Sequence, residues 1–192
     1  MSLGQNLLMR AFGRPRGLLG RLGGHIMARL NQDCASWVIG LLDIQPSDKV
    51  LEVGFGSGLA IGHLASEARP ATFVAGADIS REMVEQASKR NAAAIASGRV
   101  ELRQGSADRL PFGDATFDKA MAINSLQVWP DALSGLREIY RILQPGGRVA
   151  FGFTSHSGQT KDGLTELLAT AGFVQAQLFE RARDFCVLGR KP

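Results

Sequence analysis

Three glycines at alternate positions close the segment Val50-Leu51-Glu52-Val53-Gly54-Phe55-Gly56-Ser57-Gly58. Glycine has no Cβ, so such a turn adopts backbone angles closed to other residues and lets a ligand touch the main chain. A helix that starts directly after it points unpaired N–H groups at the same place. About twenty residues further on stands Asp78, where an acidic side chain accepts hydrogen bonds from both hydroxyls of a ribose. A glycine turn alone is a weak signal that a purely structural turn would also give. Strand, turn, helix, strand and aspartate in one register favour a ligand that carries a ribose.

Glu52 decides between two kinds of ribose ligand. A carboxylate inside the strand before the turn sits badly beside a pyrophosphate and well beside a cation. The spacing agrees, because Gly54, Gly56 and Gly58 make GxGxG, whereas the dinucleotide fingerprint is GxGxxG. The ammonium and sulfonium of S-adenosylmethionine suit this carboxylate, so the charge points to a methyl donor, with a nicotinamide-dependent oxidoreductase as the weaker alternative.

The remaining chemistry-bearing residues are sparse. His156 follows the fifth expected strand, at the carboxyl end where ligands bind in open α/β sheets, and His25 lies near the N-terminus. Both are candidate acceptor contacts, and neither is a convincing general base. His63 reads as helix packing or surface. Cys34 and Cys186 form no CxxC pair and no metal-ligand cluster, so they read as small buried hydrophobes in a reducing, cytoplasmic setting, and no metal is expected.

The elements that must position these residues alternate after Pro46 between short apolar runs and helical segments, the pattern of a mostly parallel sheet. Strands are expected at Lys49 to Val53, Thr72 to Ala77, Val100 to Gln104, Phe117 to Ile123 and Arg148 to Phe153. Helices are expected from the glycine turn to about Ala68, from Ser80 to about Ser97, from Asp131 to the Pro145-Gly146-Gly147 turn, and from about Lys161 to Ala171. Phe173 to Phe179 and Phe185 to Gly189 read as a hairpin joined by Glu180 to Arg183. Its final strand should then run against the rest of the sheet.

VLEVGFGSG, GADIS, GSADRLPF, FDKAMAINSLQVWPD and LREIYRILQPGGRVAF occur in this order between about Val50 and Phe153. Together they resemble the class I S-adenosylmethionine-dependent methyltransferase superfamily, and within it the group of the ubiquinone and menaquinone biosynthesis methyltransferases. The resemblance implies a Rossmann-like doubly wound α/β fold with a seven-stranded sheet, and S-adenosyl-L-methionine as cofactor. It implies that Glu52, Gly54, Gly56 and Gly58 meet the methionine part, Asp78 the ribose and Ile79 the adenine face. Asp108 would accept from the adenine amino group, Ala107 would offer its backbone N–H to the ring, and Asn124 would line the methyl-transfer centre. A plain turn role for Asn124 competes with this. Gln127 stands where the group often has a histidine, so no family base carries over.

The implied reaction is direct in-line displacement, in which positioning and desolvation do much of the work. No N/D-P-P-Y/F sequence follows the fourth strand, which argues against methylation of an exocyclic nitrogen on a nucleic-acid base. The stretch between the fifth strand and the hairpin lacks the inserted cap of many small-molecule members. A small organic or lipid-like acceptor is the leading reading, and a protein that binds the cofactor without turnover is the alternative.

The 192 residues, 45% hydrophobic, suit one domain, and no apolar run spans a bilayer. Residues 46–192 are expected to form the methyltransferase domain and residues 1–45 an N-terminal helical arm, a candidate lid. Leu18, Leu22, Ile26, Leu30, Trp37 and Leu41 recur there at helical spacing. The formal net charge is +4, and the arm carries Arg10, Arg14, Arg16, Arg21 and Arg29 with no acid before Asp33. A solvated helical face explains this most simply, with an organelle transit peptide and contact to an anionic membrane surface or RNA as the sharper alternatives.

Overall fold

The computed structural model describes residues 32–67, 73–182 and 184–192. The expectations for residues 1–31, His25 among them, lie outside the described residues. Helix α1 (32–42) leads into β1 (Lys49–Val53), α2 (Leu59–Glu67) and β2 (Phe73–Asp78). Then follow α3 (Arg81–Arg90), α4 (Ala92–Ala96), β3 (Val100–Gln104), β4 (Phe117–Ile123), α5 (Ala132–Ile142) and β5 (Leu143–Phe153). Helix α6 (Leu164–Thr170) precedes a terminal pair, β6 (Val174–Arg181) and β7 (Asp184–Arg190).

The seven strands form one sheet in the order β3-β2-β1-β4-β5-β7-β6. All neighbours up to β5 are parallel, and β7 runs antiparallel to both β5 and β6. A tight hairpin leaves no room for a crossover, which is why β7 alone is reversed. The sheet is apolar on both faces, as central parallel strands must be. On one face Leu51, Val53, Ala75, Phe117 and Phe151 pack under Leu136 and Ile139 of α5 and Leu164 and Leu168 of α6. On the other, Val50, Val74, Met121 and Ala150 lie under Cys34, Val38 and Leu42 of α1 and Ile61 and Leu64 of α2.

Several expected boundaries shift for identifiable reasons. The helix expected from Ser80 to Ser97 divides at Asn91, whose amide donates to Ala87 O and Gly58 O at 2.9 and 3.0 Å, competing with the helical ladder. The last helix starts at Leu164 because Gly163 is left-handed, with φ +77°. Strand β5 begins at Leu143, ahead of the expected Arg148, and takes up the Pro-Gly-Gly stretch as an irregularity: Phe117 pairs with Leu143 and Lys119 with Arg148. The hairpin is tighter than expected, since Glu180 and Arg181 belong to β6 and Arg181 pairs with Asp184.

Helix α1 is tied down at both ends. Arg148 of β5 donates to the carbonyls of Leu41 and Leu42, where a helix carboxyl end attracts a cation. Arg181 of β6 donates to Asp33 O at 2.9 Å, and its guanidinium lies over the Trp37 ring, 5.1 Å from the centroid.

Candidate functional site

Strand order reverses between β1 and β4, because β1 is flanked by β2 and β3 on one side and β4 by β5 on the other. At such a switch point the loops leaving the strands diverge and open a crevice at the carboxyl edge. The glycine turn leaves β1 there, and Asn124 leaves β4.

The two loops touch at Gly54. Its φ is +76°, and a Cβ on it would sit 2.0 Å from Ser125 Oγ, so no larger residue fits. Gly56 differs: at φ +53° a Cβ would meet nothing within 4 Å, so its main chain faces open space. Gly58 packs on α3, where a Cβ would come within 2.6 Å of Ala87 Cβ.

Asp78 braces this turn from β2. Gly56 N donates to its Oδ2 at 2.8 Å and Ser80 N to its Oδ1 at 2.9 Å, and the residue is 8% exposed. Burial pushes its carboxyl above the usual range, while the bonds from Ser80 and Gly56 pull it back. Glu52 is also buried, 2% exposed, yet its carboxyl makes no hydrogen bond or ion pair among the described residues, and its Oε2 is enclosed without a partner. Burial, helped by the charge of Asp78, pushes its carboxyl up to about 8.

The other expected contacts surround this pair. Ile79, 41% exposed, turns an apolar side chain to solvent directly after Asp78. Gly105 N donates to Asp78 O at 2.9 Å, joining the end of β2 to the loop with buried Ala107 and exposed Asp108. Asn124, at φ +48°, spends its side chain on β5: Nδ2 donates to Thr154 Oγ1 and Oδ1 accepts from Thr154 N, both at 2.9 Å. Gln127 Nε2 donates back to Asn124 O at 2.9 Å.

His156 is exposed, just past Thr154 on the loop that leaves β5. His63 lies on α2, 3.0 Å from Ser36 Oγ of α1, in line with its packing role. Sequence reasoning missed Ser125, which is buried against Gly54 and accepts from Trp129 Nε1 at 2.8 Å. It also gave no role to Ser57, buried in the glycine turn with an unpartnered hydroxyl. Their one sequence signal is position, next to the turn and to the end of β4.

A glycine turn braced by a ribose-type aspartate at the switch point of this seven-stranded sheet defines a nucleoside-binding α/β site. The chain matches the family described as Methyltransferase domain over residues 51–151. It is 30% identical over 183 residues to the Bacillus subtilis (strain 168) methyltransferase YdaC, covering 89% of this chain and 98% of YdaC. A ubiquinone/menaquinone biosynthesis C-methyltransferase, UbiE of Geotalea daltonii, is 33% identical over 104 residues, covering 54% of this chain and 44% of UbiE. In fold the chain is similar to a Haloferax volcanii methyltransferase solved with the Trm112 methyltransferase activator, at TM-score 0.77 and 20% identity, covering 88% and 93% of the two chains. The chain belongs to the methyltransferase domain family, as a class I S-adenosylmethionine-dependent methyltransferase.

S-adenosyl-L-methionine fits the residues present. Gly56 leaves space for close approach, Glu52 is a buried carboxyl without a partner, and Ile79 is an exposed apolar side chain beside the ribose aspartate. An ammonium, a ribose and a purine supply what these three lack.

Proposed function

We propose that this methyltransferase acts on a small organic or lipid-like acceptor, with its cofactor held by Glu52, Gly54, Gly56, Gly58, Asp78, Ile79, Ala107 and Asp108. The observation that carries the site is the pairing of an orphaned buried Glu52 with an Asp78 whose carboxylate braces the turn. S-adenosylmethionine supplies an electrophilic methyl group when bound. The chain's own residues bind, orient and dry the reacting ends.

Asn124 acts here as a positioning residue. With its side chain clasping Thr154, it fixes the ends of β4 and β5 at the rim where the acceptor enters. His156, exposed on that rim, is the acceptor contact we assign. Supporting a lid role for the arm, residues 1–45, is the way α1 begins. Asp33 is bonded to Arg181 at the carboxyl end of β6, so α1 begins at the carboxyl edge of the sheet, the edge that also carries the glycine turn. His25 would then contact the acceptor from the lid, and the arm's arginines would meet an anionic membrane surface or RNA.

A small acceptor is supported by the short run between β5 and β6, which holds only α6, and by relatives such as the ubiquinone/menaquinone C-methyltransferase. The test is formation of S-adenosylhomocysteine with quinols, phenols and phospholipids offered in turn, beside bulk RNA. Turnover with a small or lipid-like compound supports the reading. Turnover with RNA alone would overturn it.

A further inference from the structure

Resting on the cofactor site proposed above, the structure assigns Glu52 a second property: we infer that it holds a proton in the free protein and releases it when the cofactor's ammonium arrives, so that cofactor binding is proton-coupled.

Of two neighbouring carboxyls, Asp78 is the one built to stay charged. Asp78 accepts two backbone N–H bonds, from Gly56 and Ser80, at 2.8 and 2.9 Å, and such bonds stabilise an anion. Glu52 accepts none among the described residues, although it is the more buried of the two. Two close anions in an enclosed site repel, so a single proton shared by the pair settles on the member without donors.

Among the described residues no cation acts on Glu52 to change that outcome. By strand alternation it lies on the face of Val50, with Gly76 of β2 and Met121 of β4 as register neighbours. The helices over that face present Cys34, Val38 and Leu42 from α1 and Ile61 and Leu64 from α2. His63 of α2 is engaged with Ser36, and Arg81 of α3 pairs with Glu85 at the surface. The charge that acts on Glu52 is that of Asp78, and it too favours the neutral acid.

An ammonium placed against this carboxyl reverses the balance. The O–H bond of Glu52 breaks, the proton leaves to solvent, and the carboxylate pairs with the cation. Because the group sits near 8 in the free protein, it is mostly protonated at neutral pH. Binding at about pH 7 therefore releases close to one proton, and the apparent Kd tightens by up to about tenfold per pH unit from roughly pH 6 to 7.5. The ligand's ammonium is not the source, since an α-amino group loses its own proton at roughly 7.7–8.0 and above.

Titration calorimetry of the full chain in two buffers of different ionisation enthalpy counts the protons directly. The probes are S-adenosylhomocysteine, which carries the ammonium, and 5′-methylthioadenosine, which keeps the ribose and purine and lacks it. The expected result is proton release near one with the first and near zero with the second, using the natural chain alone. Glu52→Gln, which is neutral at every pH, should bind S-adenosylhomocysteine more weakly and without proton release. Binding of S-adenosylhomocysteine with no release, or equal release by both probes, would overturn the proposal and leave the cofactor site standing. Failure of either probe to bind would overturn the site assignment and the proposal with it.

Discussion

Glu52 and Asp78 show how backbone donors divide roles between two carboxyls of the same site. Glu52 has its folded-state value raised from 4.5 to about 8. Its contribution to stability is therefore fully present below about 4.5 and is lost as pH rises through about 8, at roughly 1.4 kcal/mol per unit in between. Asp78 shifts in the same direction. The free protein should therefore melt at a higher temperature near pH 5 than near pH 8. Glu52→Gln should flatten that slope and raise the melting temperature at pH 8, while it weakens cofactor binding. A variant that is less stable than the natural chain at pH 8 would show that Glu52 is already paired. The glycines allow a second comparison. Gly54→Ala forces a Cβ to 2.0 Å from Ser125 Oγ and should cost about 2 kcal/mol or more. Gly56→Ala meets open space and should cost about 1 kcal/mol of backbone strain, yet reduce cofactor affinity out of proportion. Denaturant melts set beside cofactor titrations separate the two effects.

At the scale of elements, the sequence showed the strands and the order of the parallel units because apolar runs and turn residues punctuate them clearly. What it hid were devices that depend on a distant partner. The break at Asn91 was illegible because its amide bonds Gly58 O, 33 residues away. The start of β5 at Leu143 was hidden for the same reason, since its pairing with Phe117 is tertiary. The site follows this division: the glycine turn and Asp78 are local patterns, whereas Ser125 acquires its place only when β4 lies beside β1. Asn91→Ala should weaken cofactor binding several-fold and cost about 1–3 kcal/mol, because it leaves the Gly58 carbonyl unpaired under the turn. Equal binding by the variant would mean that the tie to α3 does not shape the turn.

At the scale of the whole molecule, the two faces of the sheet serve different ends. The α5 and α6 face is a closed apolar layer, and the α1, α2 and α3 face carries Glu52 in its midst. Helix α1, the last part of the arm, belongs to that second layer and is clipped by Arg148 and Arg181, so this part of the arm is fixed to the core. No helix among the described residues is long and apolar enough to cross a membrane. If the arm is a lid, S-adenosylhomocysteine together with an acceptor should slow trypsin cleavage at Arg10, Arg16, Arg21 and Arg29. An unchanged cleavage rate would argue against closure. Association of the arm with anionic vesicles or RNA should weaken as salt rises, because screening removes the charge attraction.

The most direct test of the central claim is a thermal shift of the full chain with S-adenosylmethionine, S-adenosylhomocysteine and NAD side by side. A ligand that binds only the folded state raises the melting temperature in proportion to its saturation. The glycine turn with Glu52 and Asp78 predicts a rise of several degrees with the first two and none with NAD. A rise with NAD, or with none of the three, would contradict the account.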